Sequence, residues 1–595
     1  MEKIGVVDFG GQYTHLIARR IRQLGVYSEV LSSQSDAGQL VGFSGLIFSG
    51  GPSSVYDPEA PTCSQALLES GLPMLGLCYG HQLISHKLGG EVKRGTVHEF
   101  GPAEFHPDRK HPLFDGLSPS SVVWMSHGDE VVKLPKGFVR IGLTADCGMA
   151  AVADDSRKIY GLQFHPEVTH SIEGMSMFRN FLKICGCRFE WKISDYIESL
   201  EAKLRTQCEG RKVFLLVSGG VDSTVAFALL NRALGPDRVL GLHIDNGLMR
   251  KNESADVLEF MNREGFHNLK VRDATPDFLK ALKGLHAPEL KRKAIGDTFL
   301  TVKDLALADL NLDPEEWLLA QGTIYPDTIE SGGTKHASVI KTHHNRVGAI
   351  LELLAKGLVV EPLADLYKDE VRELGLLLGI PEKLIWRHPF PGPGLGVRLL
   401  CGTAKGSVID PTVTAKVRAL LAPEGLAGEV LPVESVGVQG DARTYAHPCL
   451  LRGTKDWDRC DTISTALTNR VREVNRVVIE IGALPTGTYH PVAADCDKPR
   501  LDFLREADAI CTDFLVAEKL YASTWQMPVV LLPLEKGGKP VIVIRPVVSS
   551  EAMTARFATL PIPLMNHLWE NLKQAGVGAL LYDVTHKPPG TIEWE

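Results

Sequence analysis

Short apolar runs alternate with amphipathic stretches along the first 190 residues. The runs at 4–7, 45–48, 74–77 and 159–164 have the length and bounded character of buried strands. Residues 13–23 and 82–88 instead carry apolar side chains at helical spacing. This alternation predicts an α/β block around a mostly parallel sheet. Cys185-Gly186-Cys187-Arg188 closes the block, and the charged, helix-patterned 194–208 reads as a connector. A second α/β block opens with the run at 212–217 and extends to about residue 398. Beyond it the pattern β-β-α-β occurs twice. The first unit has strands at 434–437 and 448–451, a helix at 463–474 and a strand at 476–481; the second has them at 529–532, 541–547, 564–574 and 579–584. A helix over 502–520 separates them. The last strands are alike, Arg476-Val477-Val478-Ile479-Glu480-Ile481 against Ala579-Leu580-Leu581-Tyr582-Asp583-Val584, which predicts an internal pseudo-dimer whose halves cover each other's apolar faces. The expected architecture is α/β in domains 1–190 and 191–400, followed by an α+β domain at 401–595 with repeats at about 430–485 and 526–595.

At 595 residues the chain exceeds a single core, and its 44% hydrophobic and 23% charged content is that of a soluble globular protein. No apolar run reaches the ~18 residues that span a bilayer. Met1-Glu2-Lys3 leads straight into a strand, so no signal peptide is expected. Eleven cysteines, odd in number and without framework spacing, point to reduced thiols and a cytoplasmic location. A net charge of -8 argues against a nucleic-acid partner, whose backbone needs a basic face.

The first chemical centre is Met74-Leu75-Gly76-Leu77-Cys78-Tyr79-Gly80-His81-Gln82, a cysteine between glycines at a strand-to-helix junction. Such a turn presents the thiol at the carboxyl edge of the sheet, and the helix start favours the thiolate and offers N–H groups to an oxyanion. Downstream, Gln163-Phe164-His165-Pro166-Glu167 supplies an imidazole and, two residues on, a carboxylate. In an extended segment both would point the same way, so Glu167 would orient His165 as it activates Cys78. Ser49-Gly50-Gly51-Pro52 is a second glycine turn suited to donating an oxyanion N–H. A lone cysteine is usually a small core residue, and the other ten are read that way.

Together these motifs resemble the class I glutamine amidotransferases over roughly residues 3–185. The resemblance implies a flavodoxin-like domain, catalytic Cys78, His165 and Glu167, and an oxyanion and glutamine-binding set of Gly51, Tyr79, Gln82, Ser126 and His127. Asp8-Phe9-Gly10-Gly11-Gln12-Tyr13 and Trp124-Met125-Ser126-His127-Gly128-Asp129 look like segments of the GMP synthetase branch.

The second centre, Val217-Ser218-Gly219-Gly220-Val221-Asp222-Ser223, follows an apolar strand and opens a helix. Two glycines let the backbone approach phosphate, hydroxyls add donors, and the helix dipole favours negative charge. No Gly-Lys-Ser/Thr follows, so this is not a Walker loop. Asp222 would need a divalent cation, most simply Mg²⁺, between itself and phosphate. A second strand ends in His243-Ile244-Asp245-Asn246-Gly247-Leu248-Met249-Arg250, at the sheet edge where nucleotide sites form.

The pattern resembles the PP-loop of the N-type ATP pyrophosphatases, implying a Rossmann-like domain in which Ser218, Gly219, Gly220, Val221, Asp222, Ser223 and Asp245 bind ATP. Lys291-Arg292-Lys293-Ala294-Ile295-Gly296 and Ala320-Gln321-Gly322-Thr323-Ile324-Tyr325-Pro326-Asp327 match further segments. Lys341, His343 and His344 are implied as parts of a lid over ATP. Adjacent histidines point apart, and no other ligand sits at zinc spacing, so zinc is not expected; nor is a flavin or nicotinamide. Arg387-His388-Pro389-Phe390-Pro391-Gly392-Pro393-Gly394-Leu395-Gly396 reads as a rigid loop, by itself a domain-linking turn, and is characteristic of GMP synthetases.

Val436-Gly437-Val438-Gln439-Gly440-Asp441-Ala442-Arg443 and the ending Lys587-Pro588-Pro589-Gly590-Thr591-Ile592-Glu593-Trp594-Glu595 match the same family. A charged, proline-rich ending would normally fray, but two prolines and Trp594 make this one stiff enough to dock. The resemblance implies that Arg292, Asp441, Gln526, Lys587 and Glu593 bind xanthosine monophosphate. It is to the longer branch, with a duplicated C-terminal unit, which leaves monomer or homodimer open. The implied reaction joins glutamine hydrolysis to adenylation of xanthosine monophosphate by ATP and attack of the released ammonia, giving GMP, AMP, pyrophosphate and glutamate. Free ammonia would protonate in water, so a shielded route between the sites is expected. The rivals are another glutamine-dependent PP-loop ligase, such as one making NAD, and a non-catalytic glutamine or nucleotide sensor.

Overall fold

A computed structural model describes residues 2–11, 13–310, 312, 315–325, 327, 357–439, 442–549 and 555–595. Lys341, His343, His344 and Asp441 lie outside the described residues. The chain forms two compact units, Met1–Glu209 with Ala320–Gly379, and Gly210–Leu319 with Ile380–Glu595. No helix among the described residues is long and apolar enough to cross a membrane, and the eleven cysteines are not joined by disulfides.

The first unit is built on strands β1 (Lys3–Asp8), β2 (Tyr27–Ser32), β3 (Phe43–Phe48), β4 (Met74–Leu77), β5 (Glu91–Pro107), β6 (Ser121–Lys133), β7 (Val139–Leu143), β8 (Ala151–Asp154) and β9 (Ile159–Leu162). They form one sheet in the order β2-β1-β3-β4-β9-β8-β7-β5-β6. The first five in that order are parallel, the doubly wound order of flavodoxin-like folds. β1, β3, β4 and β9 are largely apolar because both faces are covered: Ile4 and Val6 join Ile17 and Phe178 in one core, whereas Val7 and Phe48 join Leu67 and Leu83 in another; β2, at the edge, is more polar. The antiparallel half carries the long β5–β6 pair, absent from the sequence expectation because polar residues and glycines interrupt both stretches.

The segment 320–379, with its short strand β14 (Val359–Val360), returns to this unit. Arg22, on the helix Thr14–Gln23, is buried and holds it by an ion pair to Glu370 (2.9 Å) and a bond to the Asp365 carbonyl (2.7 Å). The Tyr325 N–H donates to Leu366 O at 2.9 Å, and its hydroxyl accepts from the Val30 N–H at 3.0 Å.

In the second unit β10 (Lys212–Leu216), β11 (Val239–Asp245), β12 (Leu269–Asp273) and β13 (Trp317–Ala320) follow the order β12-β11-β10-β13, with β10, β11 and β12 parallel. Strands β15 (Ala427–Val430), β16 (Ser435–Gln439), β17 (Ala442–Arg452), β18 (Val474–Ala483), β19 (His490–Pro491), β20 (Val529–Lys536) and β21 (Lys539–Ile544) come next. A small ribbon of β22 (Val547–Val548) and β23 (Arg556–Phe557) precedes the last strand, β24 (Ala579–Asp583). The large sheet runs β15-β17-β18-β24-β21-β20-β19, and β16 pairs with β17. Helix Trp457–Arg470 connects parallel β17 and β18; helix Ile562–Gln574 leads into β24, parallel to β21. The two similar last strands lie side by side and antiparallel, Ile479 opposite Tyr582. The first helix starts earlier than apolar spacing suggests because Asp456 caps it, accepting from the Arg459 N–H at 2.8 Å. One core runs from Phe214 and Leu248 through Leu395 and Leu399 to Val477, Leu531 and Tyr582.

Candidate active sites

β4 ends at Leu77 and the helix Tyr79–Lys87 begins at once, leaving Cys78 in the turn at φ 48° and ψ −107°, a conformation that side chains rarely adopt. The turn can be this tight because of its glycines. A Cβ on Gly76 would sit 2.7 Å from the Gly80 carbonyl, and one on Gly80 would run into the Phe48 carbonyl. The Cys78 N–H donates to Leu162 O (2.8 Å) and the Gly80 N–H to Ser49 O (3.1 Å). The buried sulfur lies 3.5 Å from the Ser126 carbonyl and 3.8 Å from Gln163 Nε2. No side chain caps the helix, so its first turn faces the thiol with the partial positive charge of a helix start.

His165 Nδ1 lies 2.7 Å from Glu167 Oε1, and the edge of Tyr13 packs on the imidazole with ring centroids 5.3 Å apart. The bond is made in a turn: β9 stops at Leu162, so the extended geometry expected from the sequence is replaced by a fold-back at Pro166 and Glu167. Burial works against the imidazolium, but the Glu167 charge and the hydrogen bonds to Cys78 and Glu167 outweigh it and raise the His165 pKa to about 11. A protonated imidazole thus stands between the Cys78 sulfur and the Glu167 carboxylate. Gly50 makes room for it, since a Cβ there would lie 3.1 Å from His165 Cε1 and 3.8 Å from Cys78 Cβ. Gly51 abuts the Tyr79 ring, whose hydroxyl donates to Pro61 O at 2.5 Å. Gln82 Nε2 donates to Asp129 O (2.7 Å), and His127 sits between Glu99 Oε2 (3.0 Å) and Asp129 O (3.1 Å).

Glu99, His127 and Cys147 offer ligand atoms within 4.8 Å of one another. Both Glu99 oxygens are already engaged, by His127 and by the Thr144 hydroxyl (3.2 Å), and burial pushes the Cys147 thiol up to about 12. His127, Glu99 and Thr144 thus form a hydrogen-bonded strut beside the strand carrying Ser126, joined by the Cys147 N–H, which donates to Thr144 Oγ1 at 2.9 Å.

In the second unit the PP-loop follows β10 and opens the helix Val221–Leu234. Gly219, at φ 81°, turns the backbone so that the Gly220 N–H donates to Ser218 Oγ (3.2 Å); that oxygen lies 3.0 Å from Ser223 Oγ, which donates to Gly220 O (3.1 Å). Val221 and Asp222 form the first helical turn. Asp245 ends β11, and its carboxylate accepts from the Gly247 N–H at 2.9 Å. Beside it opens a cleft of about 490 Å³ lined by Asp245, Gly247, Arg250, Glu253, Thr275 and Arg505.

The loop at 387–398 docks on this edge. Leu395 N–H donates to Leu248 O (2.7 Å), and Phe390 lies between the guanidinium groups of Arg250 (4.3 Å) and Arg398 (5.0 Å). Arg398 grips Glu593 with two bonds, 2.8 and 3.0 Å, and Gln526 Nε2 reaches both Glu593 (3.2 Å) and Pro389 O (2.9 Å). Arg292 bonds the Glu595 carbonyl, and Lys291 its carboxylate. Gln526, Glu593 and Arg292 are thus gathered around the docked ending, whose Trp594 is fully buried. Lys587 enters this region by its backbone, with its N–H donating to Ala555 O at 2.8 Å. Sequence reasoning assigned no role to Arg387, Arg398, Lys291 or Glu595, whose partners lie far away in the chain.

Residues 5–185 match the family model "Glutamine amidotransferase class-I", 192–288 match "NAD synthase", and 427–490 and 513–594 match "GMP synthase C terminal domain". The chain is similar to a protein named probable GMP synthase (glutamine-hydrolyzing) from Leptospira interrogans serogroup Icterohaemorrhagiae serovar copenhageni (strain Fiocruz L1-130), 48% identical over 100% of this chain and 99% of that one. It is 44% identical to the GMP synthase (glutamine-hydrolyzing) of Geobacillus kaustophilus (strain HTA426), over 82% of this chain and 99% of the relative. A Caenorhabditis elegans relative, also named probable GMP synthase (glutamine-hydrolyzing), is 36% identical over 100% of this chain and 92% of its own.

Proposed function

The chain belongs to the glutamine-hydrolysing GMP synthase family, and on that premise we propose that it converts xanthosine monophosphate, ATP and glutamine into GMP, AMP, pyrophosphate and glutamate. The observation that carries the reading is the Cys78–His165–Glu167 cradle on the same polypeptide as the PP-loop at 218–223. The Cys78 thiolate attacks the glutamine side-chain carbonyl, and the N–H groups of Gly51 and Tyr79 receive the oxyanion. His165 gives its proton to the departing amide nitrogen, which leaves as ammonia, and then takes one from the water that opens the thioester. Glu167 keeps the imidazole oriented, and Gln82, Ser126 and His127 shape the glutamine pocket.

In the second unit Ser218, Gly219, Gly220, Val221 and Ser223 cradle the ATP phosphates, with Asp245 at the neighbouring strand end. The donors of this loop are oxygens, the kind Mg²⁺ takes, and Asp222 would hold the ion that neutralises the phosphates. The xanthine O2 forms a bond to the α-phosphorus while pyrophosphate leaves. Ammonia then displaces AMP at C2. Arg292, Gln526, Lys587 and Glu593 seat the nucleotide acceptor. The enzyme acts in the cytoplasm as a monomer or homodimer, on small molecules and without nucleic acid. The functional parts are 1–190 for ammonia release, 191–400 for ATP and 401–595 for the acceptor. Family membership disfavours the NAD-forming and sensor alternatives.

Cys78→Ala tests the reading. Glutamine-driven GMP formation should disappear while added ammonium still supports it, with AMP and pyrophosphate as co-products. Loss of both activities, or release of ADP and orthophosphate, would refute it.

A further inference from the structure

Arg387 stands at the start of the proline-glycine loop whose other end, Arg398, grips Glu593. Its side chain is largely buried, and Nη1 bonds Glu253 Oε1 at 2.6 Å. Nη2 points elsewhere: a Cβ on Gly220, the residue that opens the PP-loop helix, would lie 3.9 Å from it. The helix behind Gly220 runs for 14 residues and has no side-chain cap, so its first-turn N–H groups converge on the same small volume as the guanidinium. Arg250 adds positive charge nearby, whereas Glu253 and Asp222 oppose it, and burial lowers the Arg387 pKa from its ordinary value. Glu253 pairs with Arg387 and Asp508 lies 3.8 Å from Arg250, so both guanidinium groups are held in place, and the Nη2 side of Arg387 beside the helix start makes a setting suited to an anion.

We propose that Arg387 binds the pyrophosphate as it leaves the α-phosphorus of ATP, and that Glu253 is the positioning residue that turns its Nη2 edge toward the PP-loop. As the bond from xanthine O2 to the α-phosphorus forms and the bond to the β-phosphate oxygen breaks, the electron pair departs with pyrophosphate. The guanidinium meets the charge that develops there. The loop then reads ATP at Arg387 and the acceptor cluster at Arg398. This inference rests on the GMP synthase reading.

The test uses the full chain with ammonium as nitrogen source, comparing wild type, Arg387→Ala, Arg387→Lys and the double variant Arg387→Ala/Glu253→Gln. Three quantities are read: product inhibition by pyrophosphate against ATP, acceptor-dependent exchange of labelled pyrophosphate into ATP, and affinity for xanthosine monophosphate alone. Arg387→Ala should weaken pyrophosphate inhibition at least about tenfold and slow exchange about a hundredfold, leaving acceptor affinity within about twofold. Lysine should recover part of the loss, since it keeps the charge without the fork. The double variant should match Arg387→Ala, showing that a stranded Glu253 carboxylate is not the cause. Undiminished pyrophosphate inhibition in Arg387→Ala, or an equal fall in acceptor affinity, overturns the role. A wild type that forms no GMP and pyrophosphate from ammonium overturns the underlying reading instead.

Discussion

Asp583 ends β24 with no solvent exposure, and one of its oxygens accepts from Arg476 Nη1 (2.9 Å) and Trp594 Nε1 (3.0 Å) and forms an ion pair with Arg545 Nη1 (2.9 Å). The other oxygen accepts from the Thr585 N–H at 3.0 Å. Burial alone would raise this carboxyl, but Arg545 and Arg476 hold it below the usual carboxylate range. Asp583→Asn keeps the shape and removes the charge, leaving two fully buried guanidinium groups to share a neutral amide. Removing one partner of a buried ion pair costs about 3–5 kcal/mol, and here two cations lose the same anion. The variant should therefore lose at least about 4 kcal/mol, a large part of the 5–15 kcal/mol that holds a typical domain. The loss should fall on the second unit and on the anchoring of Trp594. The checks are denaturant melts followed by circular dichroism, together with the Michaelis constant for xanthosine monophosphate, which should rise as the ending that carries Glu593 loosens. Reaction of Cys78 with iodoacetamide reports on the first unit and should not change. A melt within about 1 kcal/mol of wild type and an unaltered Michaelis constant would refute the reasoning.

Glu167→Gln removes the charge that keeps His165 protonated, so burial should pull the imidazole well below 11 and glutamine-driven turnover should fall about 10²–10⁴-fold, with ammonium-driven turnover intact. Because the folded pKa is raised, the stability from this pair is fully present below about pH 6.5 and lost as pH climbs toward 11; the variant should show a flatter alkaline limb, and a glutamine rate within about threefold of wild type would count against the assignment. His81 behaves oppositely: burial, with the His127 charge, lowers its pKa to about 3, so the first unit needs it neutral and should lose stability as pH falls below 6.5. At pH 5 that loss is about 2 kcal/mol, and His81→Gln, whatever its baseline stability, should reduce the slope between pH 6.5 and 5 by about one proton; an unchanged slope would contradict the burial argument.

The parallel strands and both glycine turns were legible because their signals are local. A continuous apolar run records two covered faces, and glycines at 76 and 80 record backbones that approach too closely for a Cβ. The carboxylate partner of His165 was also legible at a spacing of two, although a turn and not a strand brings it round. The β5–β6 pair escaped notice because its alternation is broken by charged residues and glycine. Arg387 and Glu253 are separated by 134 positions, and Arg398 and Glu593 by 195. Pairings over such distances leave no pattern in either neighbourhood, so the docked loop and ending emerge only from packing.

The return of 320–379 to the first unit means that the boundary between the units is not a single position along the sequence. A fragment ending at Glu209 would keep Arg22 but lose Glu370 and the Asp365 carbonyl, exposing a stretch of helix Thr14–Gln23 whose guanidinium was shaped for a buried partner. Separating the ammonia-releasing half from the rest is therefore a matter of stitching two stretches together, and evolution could exchange these halves as cassettes only by carrying both.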